Sequence, residues 1–299
     1  MSYFIGCASS LRSLRKVCCG GRPAQDEGST RLGGWSSAIS SERRTLGRGF
    51  NPKRLWRGEH EPDVQNAIPA AVRPGAVGYD VGAHVGTMAL GAAQLVGDLG
   101  RVVAFDGDPE NVERLRGNSA RNGLEGHLQV VHTAVWSRTA SDGISFRRST
   151  TARSHGGVEA DGNRPVLARG EIINVPAITL DDFVAAGGPP PQLVKIDVEG
   201  GEYEVLRGGT RLFATQRPLI IAEIHHQQAA EQITAWLNEY QYEAQWNIPE
   251  EKFPRRLFAW PTEQDGETWM RDISFGQEES LGGAAIVKGE TSDAKYGVS

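Results

Sequence analysis

Cysteine is scarce in this sequence. The chain has only three cysteines, Cys7, Cys18 and Cys19, and all of them lie near its start. Three thiols without a second cluster provide neither a zinc site nor an even disulfide framework. We therefore interpret them as solvated thiols of a tail. The alternative is acylation of the adjacent pair beside basic residues, which would hold the protein to a membrane.

Long apolar runs are also missing. No run approaches the roughly 20 residues needed to cross a bilayer, and the longest, such as Leu219–Ala222, are the size of a strand. The start of the chain has Arg12, Arg15 and Lys16 in its middle and no continuous apolar stretch, unlike a secretory signal. The sequence therefore predicts a soluble, cytoplasmic protein without a transmembrane segment.

Positive charge is in deficit. The 32 Lys and Arg residues face 37 Asp and Glu residues, which gives a formal net charge of -5. Nucleic-acid phosphates reward basic surfaces, so we predict no nucleic-acid partner. The 39% of hydrophobic residues is typical of a chain that folds. A length of 299 residues fits one main domain with appendages.

Composition divides the chain into three parts. Seventeen of the first fifty residues are Ser or Gly, so residues 1–50 have too little apolar surface to offset their ordering entropy and are predicted to be a disordered tail. Residues 51–248 form the predicted domain. Its regular pattern is interrupted at about 137–177, where we predict a hairpin or loop insertion. Residues 249–299 are predicted to be a partly disordered extension.

Strand-like and helix-like segments alternate through the domain. Short apolar runs predict strands, and longer runs of helix formers between glycine-containing loops predict helices. This alternation indicates an α/β fold with a mostly parallel, doubly wound sheet and helices on both faces. The predicted strands are Val77–Val81, Arg101–Phe105, His127–Val135, Leu193–Val198, Leu219–Ile224 and Tyr242–Trp246. The predicted helices are Asp63–Val72, Thr87–Val96, Pro109–Asn118, Leu180–Ala186, Glu202–Phe213 and Ala229–Tyr240.

A glycine loop follows the first predicted strand. The segment from Asp80 to Gly86 has the spacing D-x-G-x-x-x-G and leads into the helix that begins at Thr87. Backbone N–H groups and the helix N-terminus converge on a ligand at such a junction, and glycine lets the backbone come close. A dinucleotide fingerprint would need glycine two positions after Gly82. His84 stands there, which disfavours an NAD-dependent oxidoreductase.

An acidic residue follows at the spacing expected for a cofactor site. Asp106 lies twenty residues after Gly86, at the end of the second predicted strand, where a carboxylate can bind both hydroxyls of a ribose. The alternative is that Gly82 and Gly86 only allow a tight turn and that Asp106 caps the helix starting near Pro109. The loop and the acid together favour the cofactor interpretation. Thr133–Val135, at the end of the third strand, would then lie near the adenine.

At this point six blocks of the chain resemble the FkbM family of S-adenosylmethionine-dependent methyltransferases. The blocks are Asp80–Gly86, Ala104–Asp106, Pro109–Asn111, Thr179–Phe183, Lys195–Gly200 and Pro218–Glu223. The resemblance implies a Rossmann-like class I methyltransferase fold, with S-adenosyl-L-methionine as methyl donor. It also implies a small-molecule acceptor, often a hydroxyl of a sugar, lipid or secondary metabolite. The residues predicted to bind the cofactor are Asp80, Gly82, Ala83, His84, Gly86, Thr87, Asp106, Gly107, Asn111, Ala134 and Val135.

Two positions depart from the family pattern. The family usually has Asn where His84 stands, and Glu-Pro where this chain has Asp106 and Gly107. The carboxylate for the ribose is retained, and the shorter Asp needs only a small backbone shift. We therefore expect a slightly reshaped cofactor pocket.

Ionisable residues cluster at the predicted ends of two strands. Lys195, Asp197 and Glu199 alternate with apolar residues, which places three ionisable side chains on one face of a strand. Ligands of an open parallel sheet bind at the carboxyl ends of its strands, so Asp197 and Glu223 should flank the transferred methyl. Buried charges cost several kcal/mol unless they are paired. The cluster therefore indicates either a paired structural network or a catalytic site.

The predicted catalytic residues are Asp197, Glu223, His225, Lys195 and Glu199. A base that removes the acceptor's hydroxyl proton contributes about 10²- to 10⁴-fold. Asp197, Glu223 or His225 could serve, and we favour Asp197; its alternative is a structural ion pair with Lys195. Glu223, His225 and Asp197 could also hold a metal ion. The resemblance implies no obligatory metal, and we predict none.

Two other functions stay open at this point. A non-catalytic domain could keep the fold as an interaction module, but the intact Asp197 and Glu223 count against it. An NAD-dependent oxidoreductase is disfavoured by His84. No pattern in the chain specifies the methyl acceptor or the oligomeric state.

Overall fold

The computed structural model describes five stretches of the chain, residues 61–149, 157–158, 170–248, 252–271 and 286–287. The predicted tail at 1–50, with its three cysteines, lies outside the described residues. So do the middle of the predicted insertion and much of the chain after 271. In the five stretches, no helix combines the length and the apolar character that a membrane span requires.

Twelve strands and eight helices occur in the described residues. The strands are β1 (Val77–Val81), β2 (Arg101–Asp106), β3 (Leu128–His132), β4 (Ala134–Val135), β5 (Ala140–Ser149), β6 (Gly157–Val158), β7 (Gly170–Ile178), β8 (Leu193–Ile196), β9 (Leu219–Ile224), β10 (Tyr242–Trp246), β11 (Arg255–Pro261) and β12 (Ile286–Val287). The helices are α1 (Pro62–Ala71), α2 (Thr87–Val96), α3 (Pro109–Arg121), α4 (Leu180–Ala185), α5 (Glu202–Arg207), α6 (Thr210–Gln216), α7 (Gln227–Glu239) and α8 (Gly266–Arg271).

Eight strands form the main sheet, in the order β12-β10-β11-β9-β8-β1-β2-β3. The five strands from β9 to β3 in this order are parallel, whereas β11 is antiparallel to both of its neighbours. The chain passes from β1 to β3 on one side and continues with β8 on the other side of β1. The strand order thus reverses between β1 and β8, and open α/β sheets bind ligands at such a reversal. The predicted doubly wound fold is confirmed.

Helices cover both faces of the sheet because apolar side chains alternate along the central strands. Val102 and Ala104 belong to one core, packed by α1, α2 and α8, whereas Val103 and Phe105 belong to the other, packed by α4 to α7. Phe105 is 1% exposed. Full burial of such a side chain contributes about 1.5–3 kcal/mol. The two cores fix the strand ends at which the site lies.

The predicted insertion contains a second, four-stranded sheet in the order β4-β7-β5-β6. The predicted strand His127–Val135 is therefore divided, because β3 ends at His132 and β4 pairs with β7. Thr133 lies at the break. Its amide donates to the carbonyl of Asp106 at 3.0 Å, and its hydroxyl donates to the carbonyl of Pro176 at 2.9 Å. The chain thus leaves the main sheet beside the end of β2.

The predicted helix Glu202–Phe213 is two helices, α5 and α6. Two glycines, Gly208 and Gly209, separate them, and glycine has low helix propensity. A side chain at Gly208 would overlap the backbone of Trp136. The break therefore permits close packing against the start of the insertion.

The main sheet continues past the predicted domain boundary at 248. The strand β11 lies between β9 and β10, with Arg256 opposite Glu223 in the register. Leu257 and Phe258 on β11 are each 0% exposed. Adjacent charges and prolines in this part of the sequence hid the strand pattern, so the boundary falls inside the folded sheet.

Candidate active site

The glycine loop wraps around the end of β2. The amides of Gly82 and Ala83 donate to the carbonyl of Phe105 at 2.9 and 3.0 Å, and the amide of Gly86 donates to the carbonyl of Ala83 at 2.8 Å. We expected the loop amides to converge on a ligand. These three amides instead donate to carbonyl groups of the protein. The loop can therefore let a ligand approach its backbone closely, but these three amides are not free to donate to it.

Gly82 links the loop to the residue that follows β8. Its φ is 79°, a left-handed conformation that favours glycine, and a side chain there would overlap the carbonyl oxygen of Asp197. Gly86 has a φ of 93°, and a side chain there would overlap Leu115 of α3. Allowing a tight turn, the alternative considered for both glycines, is therefore part of their role. Gly82 also joins the two halves of the crevice, which we define as the space at the carboxyl ends of β1, β2, β8 and β9.

Asp106 ends β2 and turns its carboxylate toward the loop. The amide of His84 donates to Oδ2 at 2.7 Å, the amide of Asp108 donates to Oδ1 at 2.8 Å, and Nδ2 of Asn111 lies 3.4 Å from Oδ1. Burial raises the pKa of Asp106 to about 7, and the two backbone hydrogen bonds oppose this rise. A carboxylate has about four acceptor sites. Three donors therefore leave capacity for a ligand hydroxyl.

The helix-cap alternative for Asp106 is wrong, because the cap of α3 is Asp108. The side chain of Asp108 accepts from the amide of Glu110 at 2.8 Å, in the usual geometry of an N-cap. Asp106 is thus held in place by the loop and the cap together, with only 8% of its surface exposed.

The remaining predicted cofactor residues divide into two groups. Thr87, the first residue of α2, is half-buried at the end of the loop. Gly107 follows Asp106 directly, and its carbonyl oxygen lies 3.1 Å from Nε2 of His132. Ala134 and Val135, by contrast, bury their side chains in two hydrophobic clusters. The side chains of those two residues therefore serve packing.

Asp80 and Lys195 form a buried ion pair between β1 and β8. Nζ of Lys195 lies 3.1 Å from Oδ1 of Asp80, 3.6 Å from Oδ2 of Asp197 and 3.5 Å from the carbonyl oxygen of Gly82. Burial favours the neutral amine, but the negative charges of Asp80 and Asp197 outweigh it and raise the pKa of Lys195 above its ordinary value. Lys195 therefore stays protonated. It belongs to a paired structural network, which is one of the two alternatives given for this cluster in the sequence analysis.

Strand β8 is two residues shorter than predicted. It ends at Ile196, and Asp197 and Glu199 lie in the turn that follows, where Glu199 has a left-handed φ of 53°. The expected placement on one face of a strand is therefore wrong for these two residues. The turn still groups them, since Nε2 of His225 lies 3.2 Å from Glu199 and 3.9 Å from Asp197.

His225 bridges three carboxylates. Its Nδ1 lies 2.9 Å from Oε1 of Glu202, on the side of the ring opposite Glu199 and Asp197. Burial favours the neutral ring, but the hydrogen bond to Glu202 and the three negative charges outweigh it and raise the pKa of His225 to about 9. A ring protonated at neutral pH does not suit the role of base that the sequence suggested.

Glu223 lies on the other flank of the crevice, toward α1. Its Oε2 is 3.4 Å from Nε of Arg256. Burial and the negative charges of Asp197 and Glu61 raise the pKa of Glu223 to about 7, against the opposing charge of Arg256. A carboxylate with a pKa close to neutrality is suited to proton transfer.

Several residues of the site were missed by the sequence analysis. Glu61 precedes α1, and burial together with the charge of Asp197 raises its pKa. Asp63, 4% exposed, binds Nη1 of Arg256 through both oxygens at 2.6 and 2.7 Å. No local pattern marks these contacts, because Asp63 and Arg256 are 193 residues apart. Glu202, the first residue of α5, follows the distinctive Lys195–Gly200 block so closely that the block could have indicated it.

Two groups of side chains have the spacing of a metal site, with donor atoms within 4.8 Å of one another. They are Asp197, Glu199 and His225, and Glu61, Asp197 and Glu223. The described residues thus group Asp197 with His225 or with Glu223, rather than with both as the sequence suggested. Both nitrogens of His225 already face carboxylates, an arrangement of ion pairing rather than of metal binding.

The fold and the crevice together define a class of protein. A mostly parallel sheet, a glycine loop after β1 and a carboxylate at the end of β2 are the features of a Rossmann-like fold that binds a nucleotide-type cofactor, as in the class I methyltransferases that the motifs resemble. The acidic residues at the ends of β8 and β9 face the same crevice. This class agrees with the resemblance drawn from the sequence motifs.

Comparison with known proteins identifies the family. The methyltransferase FkbM domain matches residues 80–244, and the chain belongs to this family. Hexuronic acid methyltransferase AglP of Haloferax volcanii is 31% identical over 191 residues, which cover 62% of this chain and 73% of that protein. The expected resemblance to FkbM methyltransferases is confirmed.

Solved structures of methyltransferases are also similar to this chain. Methyltransferase FkbM from Methylobacillus flagellatus KT has a TM-score of 0.45 and 14% identity, over 76% of this chain and 57% of that one. The O-methyltransferase from Bacillus cereus in complex with SAH has a TM-score of 0.42 and 12% identity, over 76% of this chain and 94% of that one. This chain thus spans little more than half of the FkbM structure.

Proposed function

We propose that this protein is an S-adenosylmethionine-dependent methyltransferase that methylates a hydroxyl of a small molecule, with a sugar as the favoured class. The observation that carries the proposal is that two acidic residues lie beside one glycine loop. Asp106 lies beside the glycine loop at the end of β2, and Asp197 follows β8, with its backbone carbonyl against Gly82 of the same loop. Membership of the FkbM family supports both roles.

The cofactor side of the crevice, made by residues 82–86 and Asp106, suits an adenosyl group. Asp106 has acceptor capacity for a ribose hydroxyl, and the loop backbone allows close contact. S-adenosylmethionine supplies a methyl group that its positive sulfonium activates for displacement. Asp106 would fix the sugar of the cofactor, and this positioning is a large part of the acceleration expected for an in-line transfer.

The acceptor side, made by Asp197, Glu199, Glu223 and His225, would receive the hydroxyl. In such a transfer the acceptor oxygen would bond to the methyl carbon as the carbon–sulfur bond breaks, and Asp197 would accept the hydroxyl proton. Two cations lie near Asp197, with Nζ of Lys195 at 3.6 Å and Nε2 of His225 at 3.9 Å from its carboxylate oxygens. Such a base contributes about 10²- to 10⁴-fold.

The charge of the acceptor side favours a neutral acceptor over an anionic one. Each cation in or beside the acceptor side already has a carboxylate partner that does not belong to this side. Lys195 faces Asp80, His225 faces Glu202, and Arg256 faces Asp63. An anionic acceptor would meet further carboxylates, and like charges repel. Hydroxyls donate hydrogen bonds to carboxylates, which suits a polyhydroxylated molecule. The similarity to a hexuronic acid methyltransferase supports a sugar as the class of acceptor, but the acid named there is anionic, whereas the charges of this site favour a neutral sugar.

Calorimetric titration tests the proposed cofactor. We expect wild-type protein to bind S-adenosylmethionine and S-adenosylhomocysteine, and Asp106→Ala to weaken both by roughly 10- to 100-fold, since a hydrogen bond to a charged group contributes about 1.5–3 kcal/mol. Glu110→Ala on the exposed side of α3 is the matched control and should bind like wild type.

Two outcomes of this titration would count against the proposal. Equal affinity of Asp106→Ala and wild type would remove the ribose role of Asp106. Binding of NADH without binding of either adenosyl compound would favour the oxidoreductase alternative instead.

A further inference from the structure

Glu202 is a buried carboxylate that the proposed reaction does not use. It is the first residue of α5 and is 0% exposed. Burying an ionised carboxylate costs several kcal/mol unless partners compensate it. Its position therefore calls for a specific set of partners, which the crevice supplies.

One oxygen of Glu202 joins the two strand ends of the acceptor side. Oε1 accepts from the amide of Gly200 at 2.5 Å and lies 2.9 Å from Nδ1 of His225. Gly200 belongs to the turn that carries Asp197 and Glu199, whereas His225 follows β9 directly. A single carboxylate oxygen thus ties the turn after β8 to the end of β9. The other oxygen, Oε2, is buried and accepts no hydrogen bond from the residues that the structure describes.

The ring of His225 transmits this contact to the site. With Nδ1 bound to Glu202, the Nε2–H points to the opposite side, where Glu199 lies at 3.2 Å and Asp197 at 3.9 Å. Glu223 of β9 is a further acidic group that interacts with the ring. Asp197 and Glu199 repel each other, and a cation between them offsets that repulsion.

We propose that Glu202 is a positioning residue for the methyl transfer, which holds the Nδ1 side of His225 so that the protonated Nε2 faces Asp197 and Glu199. This inference rests on the proposed function, because it assigns Asp197 as the proton acceptor. Glu202 does not touch the substrate and exchanges no proton with it. Its role is to keep a fixed positive charge beside the base and to hold the turn that carries the base.

Protonation of the bridging ring agrees with this geometry. The pKa of His225 is raised to about 9, so the ring carries a positive charge through neutral pH. Replacing Glu202 by Gln keeps an oxygen that can accept from Gly200 and His225 but removes the negative charge. The substitution therefore separates the electrostatic role of Glu202 from its role in packing.

NMR titration of His225 tests the inference without any turnover. The ring signal is assigned by its loss in His225→Gln, and the full-length protein is titrated as wild type, Glu202→Gln and Glu204→Gln. Glu204 lies on the same helix, paired with the exposed Arg207, and is the matched control. We expect Glu202→Gln to lower the pKa of His225 by about 1 to 3, the effect of losing a close opposite charge. The control should leave it unchanged.

The pH profile of methyl transfer provides the second readout. With labelled S-adenosylmethionine and a metabolite extract, Glu202→Gln should move the alkaline limit of activity to lower pH by the same amount as the titration. In the His225→Gln background the same substitution should have no further effect on the profile. If Glu202→Gln does not fold, Glu202→Asp, which keeps the charge on a shorter side chain, should lower the pKa of His225 by less than 1.

An unmoved titration of His225 in Glu202→Gln, or in Glu202→Asp where Gln fails to fold, would overturn the inference. So would a pH profile that still shifts when His225 is absent. Failure of the proposed function has a different signature. In that case the protein binds no adenosyl compound, while the titration of His225 still responds to Glu202.

Discussion

The two sides of the crevice are built in different ways. On the cofactor side, the carboxylate of Asp106 accepts from the amides of Asp108 and His84, which lie two and 22 residues away. On the acceptor side, charges meet from distant parts of the chain, as when Arg256 binds Asp63 193 residues away. A site built from backbone contacts can therefore be recognised by short motifs in the sequence, whereas a site built from ion pairs cannot.

Substitution of Asp197 is the strongest test of whether the two sides of the crevice have different roles. If the acceptor side performs the chemistry and the cofactor side only binds, Asp197→Asn should lower methyl transfer by about 10²- to 10⁴-fold, the contribution of a general base. Affinity for S-adenosylhomocysteine should stay within about twofold of wild type. Transfer from labelled S-adenosylmethionine into a metabolite extract measures the first quantity, and calorimetry measures the second.

A matched control for that experiment is Glu204→Gln, which removes a half-buried carboxylate paired with the exposed Arg207 of α5. Loss of S-adenosylhomocysteine binding in Asp197→Asn would contradict the division into two sides. Retention of wild-type turnover would instead favour Glu223, whose pKa lies near 7, as the base.

Arg256 tests whether ion pairing stabilises the acceptor side. The side chain of Arg256 is 22% exposed and its partner Asp63 only 5% exposed. Removing one partner of a buried pair leaves an uncompensated charge, so Arg256→Met should lower the free energy of unfolding by about 3–5 kcal/mol. Urea denaturation measures this.

The control for Arg256 is Arg114→Met. Arg114 pairs with Glu110, which is 55% exposed, and surface pairs of this kind contribute at most about 1 kcal/mol. Equal losses in the two variants would show that the Asp63 pair acts as an ordinary surface contact.

The smallest predicted effect is a dependence of stability on pH. The pKa of His225 rises from 6.5 to about 9 on folding, so its stabilising contribution is full below pH 6.5 and is lost as the pH rises through 9. The free energy of unfolding should fall between pH 7.5 and 9, by at most about 1.4 kcal/mol per pH unit.

Variants of each side separate the sources of this slope. Burial raises the pKa of Asp106 from 3.8 to about 7, so the corresponding loss for Asp106 ends near pH 7. Between pH 7.5 and 9, His225→Gln should flatten the curve and Asp106→Asn should not. The reverse result would place the alkaline-sensitive charge on the cofactor side.

The sequence predicted the central fold and the cofactor side because both depend on short-range patterns. Alternating apolar runs fixed the strands β1, β2 and β9, and the D-x-G-x-x-x-G spacing located the loop around Gly82. The same patterns predicted Asp106 at the end of β2, although they missed that the loop amides bond within the protein. Local sequence patterns are sufficient to predict those parts of the fold that depend on neighbouring residues.

The acceptor side was predicted only in part. Asp197, Glu223 and His225 were expected near one another, but their partners Glu61, Glu202, Arg256 and Asp63 were not. A charged residue without a partner nearby in the sequence is predicted to be exposed. A partner that is distant in the sequence is found only in the three-dimensional structure. The strand β11 was missed because charged residues and prolines flank its short apolar run, Leu257–Trp260.

The position of β11 has a consequence for the order in which the molecule can be completed during synthesis. Strand β9 emerges first, and α7 and β10 follow, but the gap beside β9 stays open until residues 255–261 arrive. The same residues deliver the guanidinium that compensates Asp63, which emerged at the start of the domain. A nascent chain therefore carries an unfilled sheet edge and an unbalanced charge at once, and one late segment resolves both.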